Sequence, residues 1–177
     1  IDRLRLDERR IQAMADGIRQ VAALEDPVGK IIAEWTRPNA LHISKVRVPI
    51  GVIGIIYESR PNVTSDAAVL CTKTGNAVIL RGGSESIRSN IAVAEALRAG
   101  AVSAALPEAS ILLIPNTGRD AVQYMAEMDQ YIDLIVPREA IHVDYAPGTT
   151  TLVTKGAPES VLQVPDGRAG SLEHKMG

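Results

Sequence analysis

Three short stretches of this 177-residue chain gather residues able to meet an anion or polarise a carbonyl: "IIYESRPN", "VILRGGSES" and "LLIPNTGRD". Each opens as an apolar run and ends in polar residues that lead into a helical pattern. In an open parallel sheet, ligands bind beyond the carboxyl ends of the strands. A helix starting there offers free N–H groups and the positive end of its dipole, which favour phosphate and other anions. Within Arg81-Gly82-Gly83-Ser84, the guanidinium can meet a ribose or a phosphate, the glycines permit close backbone approach, and Ser84 can donate or cap. The same four residues also suit an ordinary strand-to-helix turn that needs glycine. No G-x-G-x-x-G is present, so the standard dinucleotide fingerprint is excluded. At the first strand end, Ser59 and Arg60 join the candidate binding set. Asn62 can donate its amide to a developing oxyanion, or Asn62 and Pro61 can simply turn the chain.

Cys71 is the only cysteine and a tempting nucleophile, but "AAVLCTK" places it mid-helix among apolar neighbours. A nucleophilic cysteine needs an accessible, electropositive setting that stabilises thiolate, so a core role is expected. His42, His142 and His174 fit no metal-ligand spacing, and no metal is expected. Arg119 and Asp120 fall in the first turn of a helix near the third strand end and read best as a solvated pair.

The elements that must position these residues alternate along the chain. "LDERRIQAMADGIRQVAAL" sets Ile11, Met14, Ile18, Val21 and Ala22 at helical spacing, with Asp7 as N-cap. Strands are expected over 42–49 and 52–57, the second apolar throughout, as a strand covered on both faces should be. A helix follows in "TSDAAVLCTKTGN", with Thr64 or Ser65 as its cap and Gly75 as its left-handed terminator. Then come the strand "NAVIL", a long helix over 86–106, the strand "SILLIP", the helix "TGRDAVQYMAEM" and the strand "YIDLIVP". This alternation is the signature of an α/β protein with a doubly wound, mostly parallel sheet. Beyond Arg138 the text is rich in Gly, Pro and Thr, with two strands at most and no helix. The expected division is an α/β unit over 1–138 and an irregular tail over 139–177.

Composition narrows the function class. Hydrophobic residues make up 46% and the net charge is −2, which leaves no basic footprint for nucleic acid. No apolar run of about 18 residues exists, so no membrane span is expected. One cysteine cannot form an internal disulfide, and a cytoplasmic location is expected. Phe is absent, so the core must be built from smaller aliphatic residues. The chain opens without Met on a charged helical pattern and reads as a piece of something longer.

"RVPIGVIGIIYESRPNVTSDAAVLCTKTGNAVILRGGSESIRSN" closely resembles the gamma-glutamyl phosphate reductases, also called glutamate-5-semialdehyde dehydrogenases, of the aldehyde dehydrogenase superfamily. "LDERRIQAMADGIRQVAALEDPVG", "EWTRPN" and "YIDLIVPR" match the same family in the same order, so the resemblance spans about 1–138. The resemblance implies an aldehyde-dehydrogenase-like cofactor domain. It also implies NADPH-dependent reduction of gamma-glutamyl phosphate to glutamate semialdehyde, with release of phosphate, in proline synthesis. Glutamate 5-kinase would be a functional neighbour, and the full-length family protein a homo-oligomer. By position, Arg81 would meet the 2′-phosphate of the cofactor, its planar fork suiting phosphate oxygens. Ser84 falls where NAD-preferring relatives carry an acidic residue, and Asn62 falls on the oxyanion position. Ser59, Arg60, Gly82 and Gly83 would complete the cofactor contacts. Two departures stand out. Glu139 and Ala140 replace a pair of family glycines, and the family's catalytic cysteine segment has no counterpart in this chain. An inactive nucleotide-binding module and another acyl-phosphate or aldehyde dehydrogenase are the alternative readings.

Overall fold

The structure is a computed structural model; it describes residues 4–138 and the backbone of two short strands at 141–143 and 152–154. Helix α1 (Glu8–Ala23) begins at Asp7, whose carboxylate accepts from the Arg10 backbone N–H at 2.8 Å, as a good N-cap does. An antiparallel hairpin follows, β1 (Ile31–Thr36) with β2 (His42–Val46). Next come β3 (Val52–Ile56), α2 (Pro61–Lys73), β4 (Ala77–Arg81), α3 (Ile87–Ser103), β5 (Ile111–Leu113), α4 (Arg119–Glu127) and β6 (Leu134–Pro137). Strands β7 (Ile141–Val143) and β8 (Leu152–Thr154) pair antiparallel with each other.

Strands β3 to β6 form one parallel sheet in the order β5-β4-β3-β6. The period-2 alternation of β3 splits its side chains between two cores. Ile53, Ile55 and Tyr57 pack with Val78, Leu80 and Ile111 against Val63, Ala67, Ala68 and Cys71 of α2, flanked by Leu97 of α3. Ile56 faces the other way, onto Val122 and Met125 of α4 and onto Ile132. Gly54 makes that second face possible: a Cβ there would lie 2.8 Å from the Met125 Cε. With helices on both faces, the sheet is doubly wound, as the alternation predicts.

Three local readings are revised. The strand β1 is not evident in the sequence, because all six of its residues are exposed and it carries no half-buried pattern. The strand that the pattern extends to 49 stops at Val46. Helix α2 starts at Pro61, not at Thr64 or Ser65; proline suits the first helical position because its missing N–H would be unpaired there anyway. Thr64 and Ser65 are fully buried inside the helix, and Ser65 donates back to the Asn62 carbonyl at 2.8 Å. Gly75 does end α2, with φ +73°. Among the described residues, no helix is long and apolar enough to cross a membrane.

Candidate functional site

The carboxyl ends of β3, β4, β5 and β6 lie along one edge of the sheet, and backbone bonds tie each to its neighbour. Tyr57 donates to the Arg81 carbonyl at 3.0 Å, Ile114 to Leu80 at 2.8 Å and Arg138 to Ile56 at 2.8 Å. The chain runs from β3 through β4 to β5, then returns on the opposite face to place β6 beside β3. The switch point therefore lies between β3 and β6, the place where open α/β sheets take ligands. A crevice of about 140 Å³ opens there, lined by Tyr57, Glu58, Arg60, Val63 and Arg138. Arg138 is absent from the sequence-derived site; its strand is legible as "YIDLIVP", but adjacency to β3 is a property of topology alone.

The two glycines after β4 meet different neighbours. A Cβ on Gly82 would collide with the Asn90 amide nitrogen and lie 3.1 Å from the Tyr57 ring. A Cβ on Gly83 would lie 2.9 Å from the Ser59 hydroxyl. The Ser59 loop and the Gly82-Gly83 loop thus press together without a side chain between them. Beneath them, the Tyr57 hydroxyl and Thr64 Oγ1 lie 2.7 Å apart, and Thr64 donates to Asn90 Oδ1 at 3.2 Å. Asn90 is fully buried, and its Nδ2, like the Ser86 Oγ, has no hydrogen-bond partner among the described residues. Asn90 is a second residue that sequence reasoning missed; an Asn in an Ala-rich helix was the available signal. Ser84 stands exposed at the start of the 3₁₀ turn that leads into α3.

Arg81 is half-buried at the end of β4 and reaches the loop after β5. Its Nη2 donates to the carbonyls of Thr117 at 2.6 Å and Gly118 at 3.1 Å, while its Nε has no partner among the described residues. Burial pulls its pKa below the usual guanidinium value, and the Asp120 carboxylate nearby opposes that shift. Asp120 does not pair with Arg119, contrary to expectation. It accepts from Asn116 Nδ2 at 3.2 Å, and Asn116 Oδ1 accepts from the Gly118 N–H at 2.7 Å.

Asn62 lies in the first turn of α2, exposed, with Nδ2 donating to Asp66 at 3.3 Å. It borders a second and larger cleft of about 600 Å³ between α1 and the start of α2, lined among others by Arg10, Met14, Arg60, Pro61 and Asp66. That volume falls within the range of small-molecule sites, about 300–1,000 Å³, and the switch-point crevice does not. Arg60 lines both openings and joins them. Cys71 is 6% exposed, and burial pushes its thiol pKa up, so it is a core residue and no nucleophile. His42 is exposed beside Glu34, with its Nε2 at 3.5 Å from the carboxylate. His142 and His174, with the tail 144–151 and 155–177, lie outside the residues whose side chains are described. Among the described residues no cluster of three His, Cys, Asp or Glu could hold a metal.

No family model matches the chain. It is 55% identical over 163 residues to gamma-glutamyl phosphate reductase of Clostridium novyi, covering 92% of this chain and 38% of that protein. It is 61% identical over 138 residues to the enzyme of the same name from Caldanaerobacter subterraneus subsp. tengcongensis, covering 78% and 33%. Among solved structures, gamma-glutamyl phosphate reductase from Thermotoga maritima superposes with a TM-score of 0.74 at 46% identity, over 77% of this chain and 33% of that one. An acetylating aldehyde dehydrogenase from Geobacillus thermoglucosidasius shares the fold, with a TM-score of 0.57 at 18% identity over 69% and 26%. The chain spans little more than a third of the length of the curated relatives it matches.

Proposed function

Taking its likeness to the gamma-glutamyl phosphate reductases as the premise, we propose that this chain carries the NADPH-binding part of such a reductase, over residues 1–138. The reaction reduces gamma-glutamyl phosphate to glutamate-5-semialdehyde and releases phosphate, in the cytoplasm and in proline synthesis. NADPH, when bound, supplies the hydride. A kinase that phosphorylates the glutamate side chain must supply the substrate.

The observation that carries the cofactor reading is the state of Arg81. A half-buried cation is satisfied here by two neutral carbonyls, with one buried N–H unpaired. A phosphate oxygen is a better partner, because charge-assisted hydrogen bonds are roughly twice as strong as neutral ones. Arg81 thus holds the 2′-phosphate. Gly82 and Gly83 admit the cofactor close to the backbone, Ser84 donates without adding negative charge, and Ser59 and Arg60 border the same edge. Asn62 supplies an amide N–H to the acyl oxygen. Cys71 has no part in the chemistry, and the family's catalytic cysteine has no counterpart among these 177 residues.

The test is a fluorescence titration of NADPH and NADH against the wild type and Arg81→Ala. The substitution is expected to weaken NADPH about tenfold or more and NADH far less, as loss of a charge-assisted hydrogen bond implies. Equal weakening of both cofactors sinks the 2′-phosphate role. A second reading, binding without turnover, is favoured by the burial of the only cysteine. It predicts NADPH binding by the 177-residue chain and no NADPH oxidation when gamma-glutamyl phosphate is added.

A further inference from the structure

The cleft between α1 and α2 carries both signs of charge around an apolar floor. Arg10 and Arg60 line it with Asp66, while Met14 and Pro61 offer apolar surface between them. Asp66 is half-buried, accepts a 3.3 Å hydrogen bond from Asn62, and pairs with no Lys or Arg among the described residues. A half-buried carboxylate in a concave, partly apolar wall, paired with no Lys or Arg among the described residues, can accept from a ligand's cationic group.

We propose that Asp66 is a specificity residue that holds the α-ammonium of an amino-acid substrate, with Arg60 of the same cleft facing its anionic groups. This rests on the glutamyl substrate class proposed above. The geometry follows from helix spacing. Asn62 and Asp66 are four residues apart on α2, so they stand one turn apart on the same face, and their polar ends meet at 3.3 Å. In an extended glutamyl chain the acyl oxygen and the α-nitrogen are separated by roughly 5–6 Å, from ordinary bond lengths and angles. With a hydrogen-bond length of about 3 Å at each end, a ligand of that span can reach both side chains. The Asn62 amide has two N–H donors, so it can keep Asp66 in place with one and meet the acyl oxygen with the other. The methylenes between lie against Met14 and Pro61.

The deamino analogue of the substrate would leave Asp66 desolvated and unpaired, which is how a polar site rejects a ligand lacking one group. The probes are L-glutamate 5-methyl ester and its deamino counterpart, monomethyl glutarate, titrated by calorimetry against the 177-residue chain. Wild type is expected to prefer the amino ester about tenfold, the scale of a hydrogen bond to a charged group. Asp66→Asn should bring the ratio near one, with melting temperature and NADPH affinity unchanged. Asp66→Glu, which keeps the charge, should retain a preference. An unchanged ratio in a folded Asp66→Asn overturns the assignment, and so does a wild type that binds both esters equally or binds neither. NADPH binding without ester binding removes this inference and leaves the cofactor reading intact. Ester discrimination without NADPH binding does the reverse.

Discussion

Gly82 is held by its surroundings more than by its own backbone. Its φ is not in the left-handed region, yet a methyl group there would meet Asn90 and the Tyr57 ring, both buried. Gly82→Ala is therefore expected to lower stability by about 1–3 kcal/mol in urea unfolding, the range for overpacking a well-filled site. Gly83→Ala should have the smaller effect, because its obstacle is the Ser59 hydroxyl, the end of a short rotatable side chain. The sequence leaves these glycines open between a phosphate cradle and a plain turn. What decides the packing is Asn90, Tyr57 and Ser59, brought in from three other segments, and no local pattern predicts their meeting. Cys71 was legible because the four residues before it in "AAVLCTK" are apolar. Its raised pKa keeps it as a thiol at neutral pH, so iodoacetamide should label it far more slowly in the folded protein than in urea. Equal labelling rates would mean that the thiol is not buried.

Helices were the more legible elements, and strands were legible where the sheet buries them. Both β3 and β4 read plainly, since each is apolar and ends at a polar turn. The hairpin was half-read. Among the described residues its strands pair only with each other, and Ile31, Ile32 and Trp35 are exposed, so β1 has neither an alternating nor a continuous buried pattern. Amides of 31–36 and 42–46 should accordingly exchange with deuterium sooner than those of 52–56 and 77–81. The junction of α2 with the sheet is anchored by Asn76. Its Oδ1 accepts from the backbone N–H groups of Ile50 at 2.6 Å and Gly51 at 2.9 Å, and its Nδ2 donates to Thr74 Oγ1 at 2.8 Å. Asn76→Ala strands those partners in a part-buried place and is expected to lower stability by about 1–3 kcal/mol. A loss within a few tenths of a kcal/mol by urea unfolding would show that water replaces the amide.

For the molecule as a whole, the fold class was legible but the strand order was not. Periodicity and turns predict a parallel sheet, and nothing in them says that β6 joins β3 and not β5. Two buried acids weaken the fold at alkaline pH. Burial raises the pKa of Cys71 above 9.0 and, against the opposing Thr64 hydrogen bond, that of Tyr57 above 10.0. Above the unfolded pKa of each group, the unfolded chain has released a proton that the folded chain retains, so the unfolded state binds fewer protons. Stability is then full below about pH 8.5 and falls as pH rises through each unfolded pKa toward the folded one. Urea midpoints at pH 8 and pH 10.5 should show that decline, and Cys71→Ser should lessen its first part. The placement of β6 also sets an order of events. Val52 and Asp133 are bonded at 2.8 Å across 81 residues, whereas β3, β4 and β5 follow one another closely in the chain. On a ribosome the first three strands emerge together and can align while β6 is still being made. Until it arrives, the open edge of β3 is a bare row of hydrogen-bonding groups. The strand that completes the switch point is thus also the one that covers the open edge of β3.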